Sequence, residues 1–511
     1  MQRTKHLLLF LSAFTLLLPV SAIGATVSFS SHTQGCGDLC GGGPTLPYLH
    51  ADLNNDGRED LVWIYRPVMG AVNAFYVNMS TGDGTYAAPV PYQTPQGADA
   101  FLNSLAIGDF NNDGKADVAV FAEDGTVYLY LNKGNGALAL GGSFASGATD
   151  PSVLASAADI NRDGNTDLLF VNGGELEVWL GNGKGGFTAG PFTPVNGDQA
   201  VLGDFDGDGN VDVALGDTAN FYTEHVLYGD GTGHFLKTLT ITAPTSSSNP
   251  NPFTVFSAID VNSDGRTDLV AAQPGANVKY ISVYYGNVAR TFANRTTIPL
   301  ARCAGGAVAA ADVDGNGFND LLPLENDCNS TNVFSATHYV DVLTRNPNSS
   351  YNKDQTIFSS PTIDGEIYGI PAPPIVLRGD LNTKPDVAVV QCTDNGCFSY
   401  TTTTLLNTTS GSFPSCAAPN AFKGVNVCSP ASGNAVSSPV AFKVGAAGPI
   451  TMRDVEVWVD GSKLAEQLDG FSNYTFLDHS LSLSPGSHNV TIFAAGIDQS
   501  LQKKSFTLNV K

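Results

Sequence analysis

The stretch DFNNDGKAD, residues 109–117, recurs along the chain. Ungapped copies are DLNNDGRED (52–60), DINRDGNTD (159–167), DFDGDGNVD (204–212), DVNSDGRTD (260–268) and DVDGNGFND (312–320). A seventh, DLNTKPD (380–386), keeps both ends and reads as two residues short. Successive starting Asp residues lie 57, 50, 45, 56, 52 and 68 positions apart. Self-similarity at roughly this period is the mark of solenoids and propellers. Each copy follows a short apolar segment and precedes a β-rich run such as VAVF or LLFV. A further strand and a Gly-rich turn usually come next, as in LEVWLGNGKGGF, residues 176–187. Asn-Gly and Asp-Gly pairs between apolar runs signal hairpins. One period therefore holds about four short strands, the content of a propeller blade.

The repeated nonapeptide has the chemistry of a cation loop. Position one is Asp52, Asp109, Asp159, Asp204, Asp260 and Asp312. Position three is Asn54, Asn111, Asn161, Asp206, Asn262 and Asp314, and position five is Asp56, Asp113, Asp163, Asp208, Asp264 and Asn316. Gly at position six permits a sharp turn. Position seven (Arg58, Lys115, Asn165, Asn210, Arg266, Phe318) can offer its backbone carbonyl. Position nine (Asp60, Asp117, Asp167, Asp212, Asp268, Asp320) is expected to bind in bidentate fashion. Hard oxygen donors in this number suit Ca²⁺, whereas Mg²⁺ demands a stricter octahedron. The loop is not an EF-hand, because Trp63, Val120 and Phe170 stand where the Glu at the twelfth position belongs. A single copy would read equally well as a metal-free Asx turn. Six copies, each clustering carboxylates that repel one another without a cation, favour about six structural Ca²⁺ sites. The seventh loop has Lys384 and Pro385 near its centre and is expected to be empty.

The formal net charge is −23, and 48 residues are acidic. Such acidity excludes nucleic acid as a natural partner, and the loops absorb much of it. Residues 1–24 read as a secretory signal peptide: Arg3 and Lys5 precede the apolar run 7–20, and small residues follow. No later stretch is long and apolar enough to span a membrane. Eight cysteines form four sequence-local pairs: Cys36/Cys40, Cys303/Cys328, Cys392/Cys397 and Cys416/Cys428. In an oxidising compartment these are expected disulfides. The localisation expected is secreted, cell surface or periplasm.

Loops, strand context and Gly-rich hairpins together resemble FG-GAP/VCBS repeats over roughly residues 45–414. The resemblance implies an all-β, seven-bladed β-propeller of the integrin-α type, with mainly structural calcium. Residues 25–414 are assigned to it, with residues 25–30 expected to give the outer strand that closes the ring. The chain departs from the pattern at the seventh loop and in residues 325–372, a stretch rich in Asn, Ser and Pro expected to form a large surface loop.

Composition changes near Ser415. Residues 415–511 carry about seven short apolar or alternating runs, the size of an Ig-like β-sandwich. This segment resembles bacterial Ig-like modules, with Trp458 read as a core residue in preference to a ligand platform.

No H-E-x-x-H, G-x-S-x-G or Walker motif occurs. The chain therefore reads as a non-enzyme, an adhesion or binding module for an extracellular glycan or protein. Two alternatives are a carbohydrate-active lyase or hydrolase on a propeller scaffold, and a structural envelope protein.

Overall fold

A computed structural model describes the chain from residue 26 onward, apart from short internal segments, the longest being 243–254, 329–336, 361–373 and 393–399. The expected signal peptide lies outside the described residues, as do Cys36, Cys40 and Cys397.

The described residues are all-β. Seven four-stranded antiparallel sheets precede a smaller sandwich. In sheet one the strands are Gly42–Ala51, Asp60–Pro67, Ala74–Asn78 and Val90–Gln93, in that spatial order. The next five sheets repeat this meander. The strand after each loop is apolar on both faces; Asp117–Ala122 and Asp268–Ala272 are buried at every position. A strand buried on both sides needs partners on both sides, and stacked sheets supply them.

Each sheet packs on the next. Val62 and Ile64 of sheet one meet Leu105 and Val118 of sheet two. Phe121 of sheet two meets Phe170 of sheet three edge to face, with centroids 5.0 Å apart. Further cores join sheets three and four, four and five, five and six, and six and seven. Leu61, Trp63 and Tyr76 of sheet one then pack on Ile375, Leu377, Ala388 and Val390 of sheet seven. The stack thus closes on itself as a β-propeller. Sheet seven takes its outer strand from the start of the chain: Phe29–Gly35 pairs with Tyr400–Asn407 from Phe29↔Asn407 to Gly35↔Thr401. The closing strand runs a few residues later than expected. Residues 325–372 are not one large loop. They contribute the strands His338–Val342 and Gln355–Ser359 of sheet six.

The C-terminal module is a sandwich of a three-stranded and a five-stranded sheet. Its core includes Phe442, Val444, Val455, Val457 and Ile492. Trp458 is not in it. Along the strand Met452–Val459, Val455, Val457 and Val459 face inward, and the period of two turns Asp454, Glu456 and Trp458 to the outer face. Disulfides join Cys303 to Cys328 and Cys416 to Cys428.

Candidate metal centres

The six intact loops share one hydrogen-bond pattern, which follows directly from residue type. The position-six amide donates to Oδ2 of the position-one Asp at 2.8 to 2.9 Å in every copy, from Gly57 on Asp52 to Gly317 on Asp312. Position-seven amides donate to Oδ1 of position five at 2.8 to 3.1 Å. The turn requires a left-handed residue at position six, where all six glycines have φ between 81° and 89°. Position four is also left-handed at Asn55, Asn112, Arg162, Gly207 and Gly315.

The position-nine Asp, expected as a bidentate ligand, also has a structural task. One oxygen accepts the amide of position two at 2.9 to 3.2 Å, as Asp60 does from Leu53 and Asp320 from Val313. The other accepts an amide at or just past the end of the third strand at 2.8 to 2.9 Å, as Asp167 does from Gly181. These buried carboxylates brace the loop against its own sheet, and in loops three and six the first oxygen takes a second amide, from Asn161 and Asp314, at 3.3 Å.

Burial makes the charge expensive. Desolvation first, then neighbouring carboxylates, push Asp60, Asp117 and Asp167 up to about 7, Asp268 to about 8 and Asp212 to about 9. Asp312, at position one, rises to about 7 for the same leading reason. In loops four and six, positions one, three and nine converge: Asp204, Asp206 and Asp212, and likewise Asp312, Asp314 and Asp320, each bring oxygens within 4.8 Å of one another. An all-oxygen donor set of this kind fits Ca²⁺. Positions one, three, five and nine would supply side-chain oxygens and position seven a carbonyl. The ion would supply the positive charge that these buried carboxylates lack.

The seventh loop is full length. Asp386 accepts the amide of Gly379 at 2.8 Å and that of Asn407 at 2.7 Å, the two braces of a position-nine Asp. Leu377 pairs with Asp386 across the sheet just as Ala51 pairs with Asp60. Counting back from Asp386, position one is Arg378, position three Asp380 and position five Asn382. Starting the copy at Asp380 misplaced its register and created the apparent deletion. The loop keeps the brace but carries a guanidinium where the others carry a carboxylate. Backbone bonds lace it to loop one: Glu59 N donates to Arg378 O at 2.9 Å, and Arg378 N donates to a Glu59 carboxylate oxygen at 2.9 Å. Thr267 and Asp204 join loops five and four in the same way.

Cations of the chain also touch the loops. Arg58, Lys115 and Arg266, each at position seven, lie 2.5, 2.7 and 2.7 Å from their own position-five Asp. Arg290 of sheet five pairs with Asp206 and, at 2.9 Å, with Asp208. Lys423, which leads into the C-terminal module, places Nζ 2.6 Å from Asp109 Oδ2. Sequence spacing gives no signal for Arg290 or Lys423, because both come from outside the repeat they touch. A third acidic group, Asp454, Glu456 and Glu466, lies in the C-terminal module. Lys463 already pairs there with Glu456 at 2.8 Å and Glu466 at 2.9 Å.

A closed ring of four-stranded sheets, six of them with an Asp-rich nonapeptide between their first two strands, defines a repeat β-propeller. A profile of the FG-GAP-like repeat matches residues 52–120, 109–170, 159–215, 204–271 and 260–322, together more than half of the 511 residues. The chain belongs to the FG-GAP-like repeat family. Residues 424–492 match a bacterial Ig domain. No curated protein sequence matches significantly. Similar solved structures include a lectin from Agrocybe aegerita, described as recognising non-reducing terminal N-acetylglucosamine (17% identity, 66% of this chain and 94% of that one, TM-score 0.40). The WD40 domain of SCAP from fission yeast is another (9% identity, 95% and 91% covered, TM-score 0.39). A third is AofleA from Arthrobotrys oligospora (10% identity, 65% and 90% covered, TM-score 0.36).

Proposed function

We propose that this protein is a calcium-stiffened, extracytoplasmic binding module that holds a glycan or protein ligand and performs no chemistry on it. The observation that carries this reading is the division of labour among its side chains. The buried carboxylates of the loops are committed to bracing backbone and to a cation. The open grooves, by contrast, are lined by contact residues. One groove of about 540 Å³ lies between sheets five and six, with Tyr285, Thr296, Tyr351 and Asn352 in its wall. Another, of about 510 Å³, crosses the outer face of the C-terminal module beside Trp458, Phe493, Asn489 and Thr491. Shallow surfaces with aromatic faces and amide or hydroxyl rims suit recognition of extended polar ligands.

Disulfides and an Ig-like module of bacterial type support an address outside the cytoplasm. Among the described residues no helix is long and apolar enough to cross a membrane. The test is an array of glycans and polysaccharides probed with the full chain in calcium and in EDTA, with released sugars assayed. Retention without release supports the reading. Release of product replaces it with an enzyme, and silence in both buffers directs the search to protein partners.

A further inference from the structure

The C-terminal module does not hang free of the propeller. Among the described residues it meets the loops through Tyr474 and Lys423. Tyr474, buried at the end of the strand Tyr474–Leu481, carries the Arg378 guanidinium over its ring at 4.0 Å. Burial, and the nearby charges of Glu59, Asp52 and Asp60, push its hydroxyl well above the usual tyrosine range. The module therefore sits against loops seven and one. Its second contact is the pair between Lys423 and Asp109 in loop two.

That pair differs from the other cation contacts in coming from outside the ring, whereas Arg290 crosses from sheet five to positions three and five of loop four. Arg58, Lys115 and Arg266 are local, and they reach only the position-five Asp. Lys423 comes from the other module, 314 positions along the chain, and takes the position-one carboxylate of a loop built for a metal. Asp109 is fully buried, and its two oxygens already accept the amides of Asp113 and Gly114 at 2.9 Å each. One further cation completes this carboxylate. A divalent ion in loop two would need the same group, and two cations on one buried carboxylate repel strongly. Lys423 keeps a partly exposed side chain, so it can leave for water. The disulfide Cys416–Cys428 ties its backbone to the first strand of the module, Gly424–Ser429. Displacing the ammonium thus loosens the module's lead-in from the ring.

We infer that Lys423 and calcium compete for Asp109, so that loop two is a calcium-sensitive latch for the C-terminal module. The inference rests on the reading of the loops as calcium sites. By linkage, docking weakens calcium at loop two by the same factor that calcium weakens docking.

The experiment is amine footprinting of the full chain, with Lys423 acetylation read by mass spectrometry across a calcium titration and calcium uptake measured in parallel. Lys423 is protected in EDTA and becomes reactive as calcium binds, while Lys504 and Lys511 of the same module stay constant. The Lys423→Met chain gains about tenfold in the affinity of one calcium site, within the usual range of such couplings. Lys423→Arg keeps the wild-type isotherm. Calcium uptake with unchanged Lys423 reactivity and identical isotherms for Lys423→Met would overturn the latch and leave the loop sites standing. No uptake by either chain would overturn both.

Discussion

Asp386 accepts the amide of Gly379 at 2.8 Å, and the span between them is the one that joins Asp60 to Leu53 in loop one. Sheet seven therefore keeps the brace although Arg378 has replaced the position-one carboxylate. The brace and the position-one carboxylate are separable features of one nonapeptide.

That separation can be measured. Asp386→Ala strands the buried amides of Gly379 and Asn407, and each unsatisfied donor costs about 1–3 kcal/mol. Its loss of stability is expected to be the same in calcium and in EDTA. Asp163→Ala removes a position-five ligand whose own hydrogen bond, from the Asn165 amide, is open to water, so most of its penalty is expected in calcium alone. Denaturant titrations of both variants in both buffers check this. A calcium-dependent penalty for Asp386→Ala would contradict the seventh-loop register.

Much of the fold was legible because its signal repeats. Six ungapped copies, strand runs and hairpin turns pointed to a propeller, and the C-terminal runs to a sandwich. What failed was local. The seventh loop was anchored on Asp380 because Asp was expected first, whereas backbone pairing anchors it on Asp386. Residues 338–342 and 355–359 were read as loop because Asn, Ser and Pro around them hid two short strands. Trp458 was read as core on hydrophobicity alone, although the alternation Val455, Val457, Val459 already placed it on the other face. The ion pairs of Lys423 and Arg290 arise from tertiary proximity, which no local pattern encodes.

Trp458 gives a second prediction. Trp458→Ala opens an outer groove, so the melting temperature hardly moves while ligand retention by the module falls. Ile492→Ala, fully buried in the sandwich core, costs about 2–5 kcal/mol in the same melt. Unchanged ligand retention by Trp458→Ala would remove this face from the binding surface.

The pH dependence of the metal-free chain follows from the raised carboxyl groups. Asp60, Asp117 and Asp167 sit at about 7, Asp268 at about 8 and Asp212 at about 9, against about 4 in an unfolded chain. Between those limits the folded state binds more protons, so stability falls as pH rises. In EDTA the melting temperature is expected to drop steadily from pH 5 to pH 9. In calcium the trend flattens or reverses, because the ion requires ionised carboxylates. A metal-free melt that strengthens with pH would contradict the assigned burial of these groups.

The central claim is that the loops hold calcium and that the ring depends on it. Extracellular calcium sites with Kd near 10⁻⁴–10⁻³ M each contribute about 0.5–1.5 kcal/mol at millimolar calcium, so several together decide whether the ring stays folded. The direct measurement is thermal melting of the full chain in millimolar calcium, in EDTA, and after calcium is restored, with bound metal counted by elemental analysis. The account predicts about six calcium ions per chain, a melting temperature many degrees lower in EDTA, and full recovery on readdition. A melt indifferent to EDTA, from a protein that carries no calcium, would contradict it.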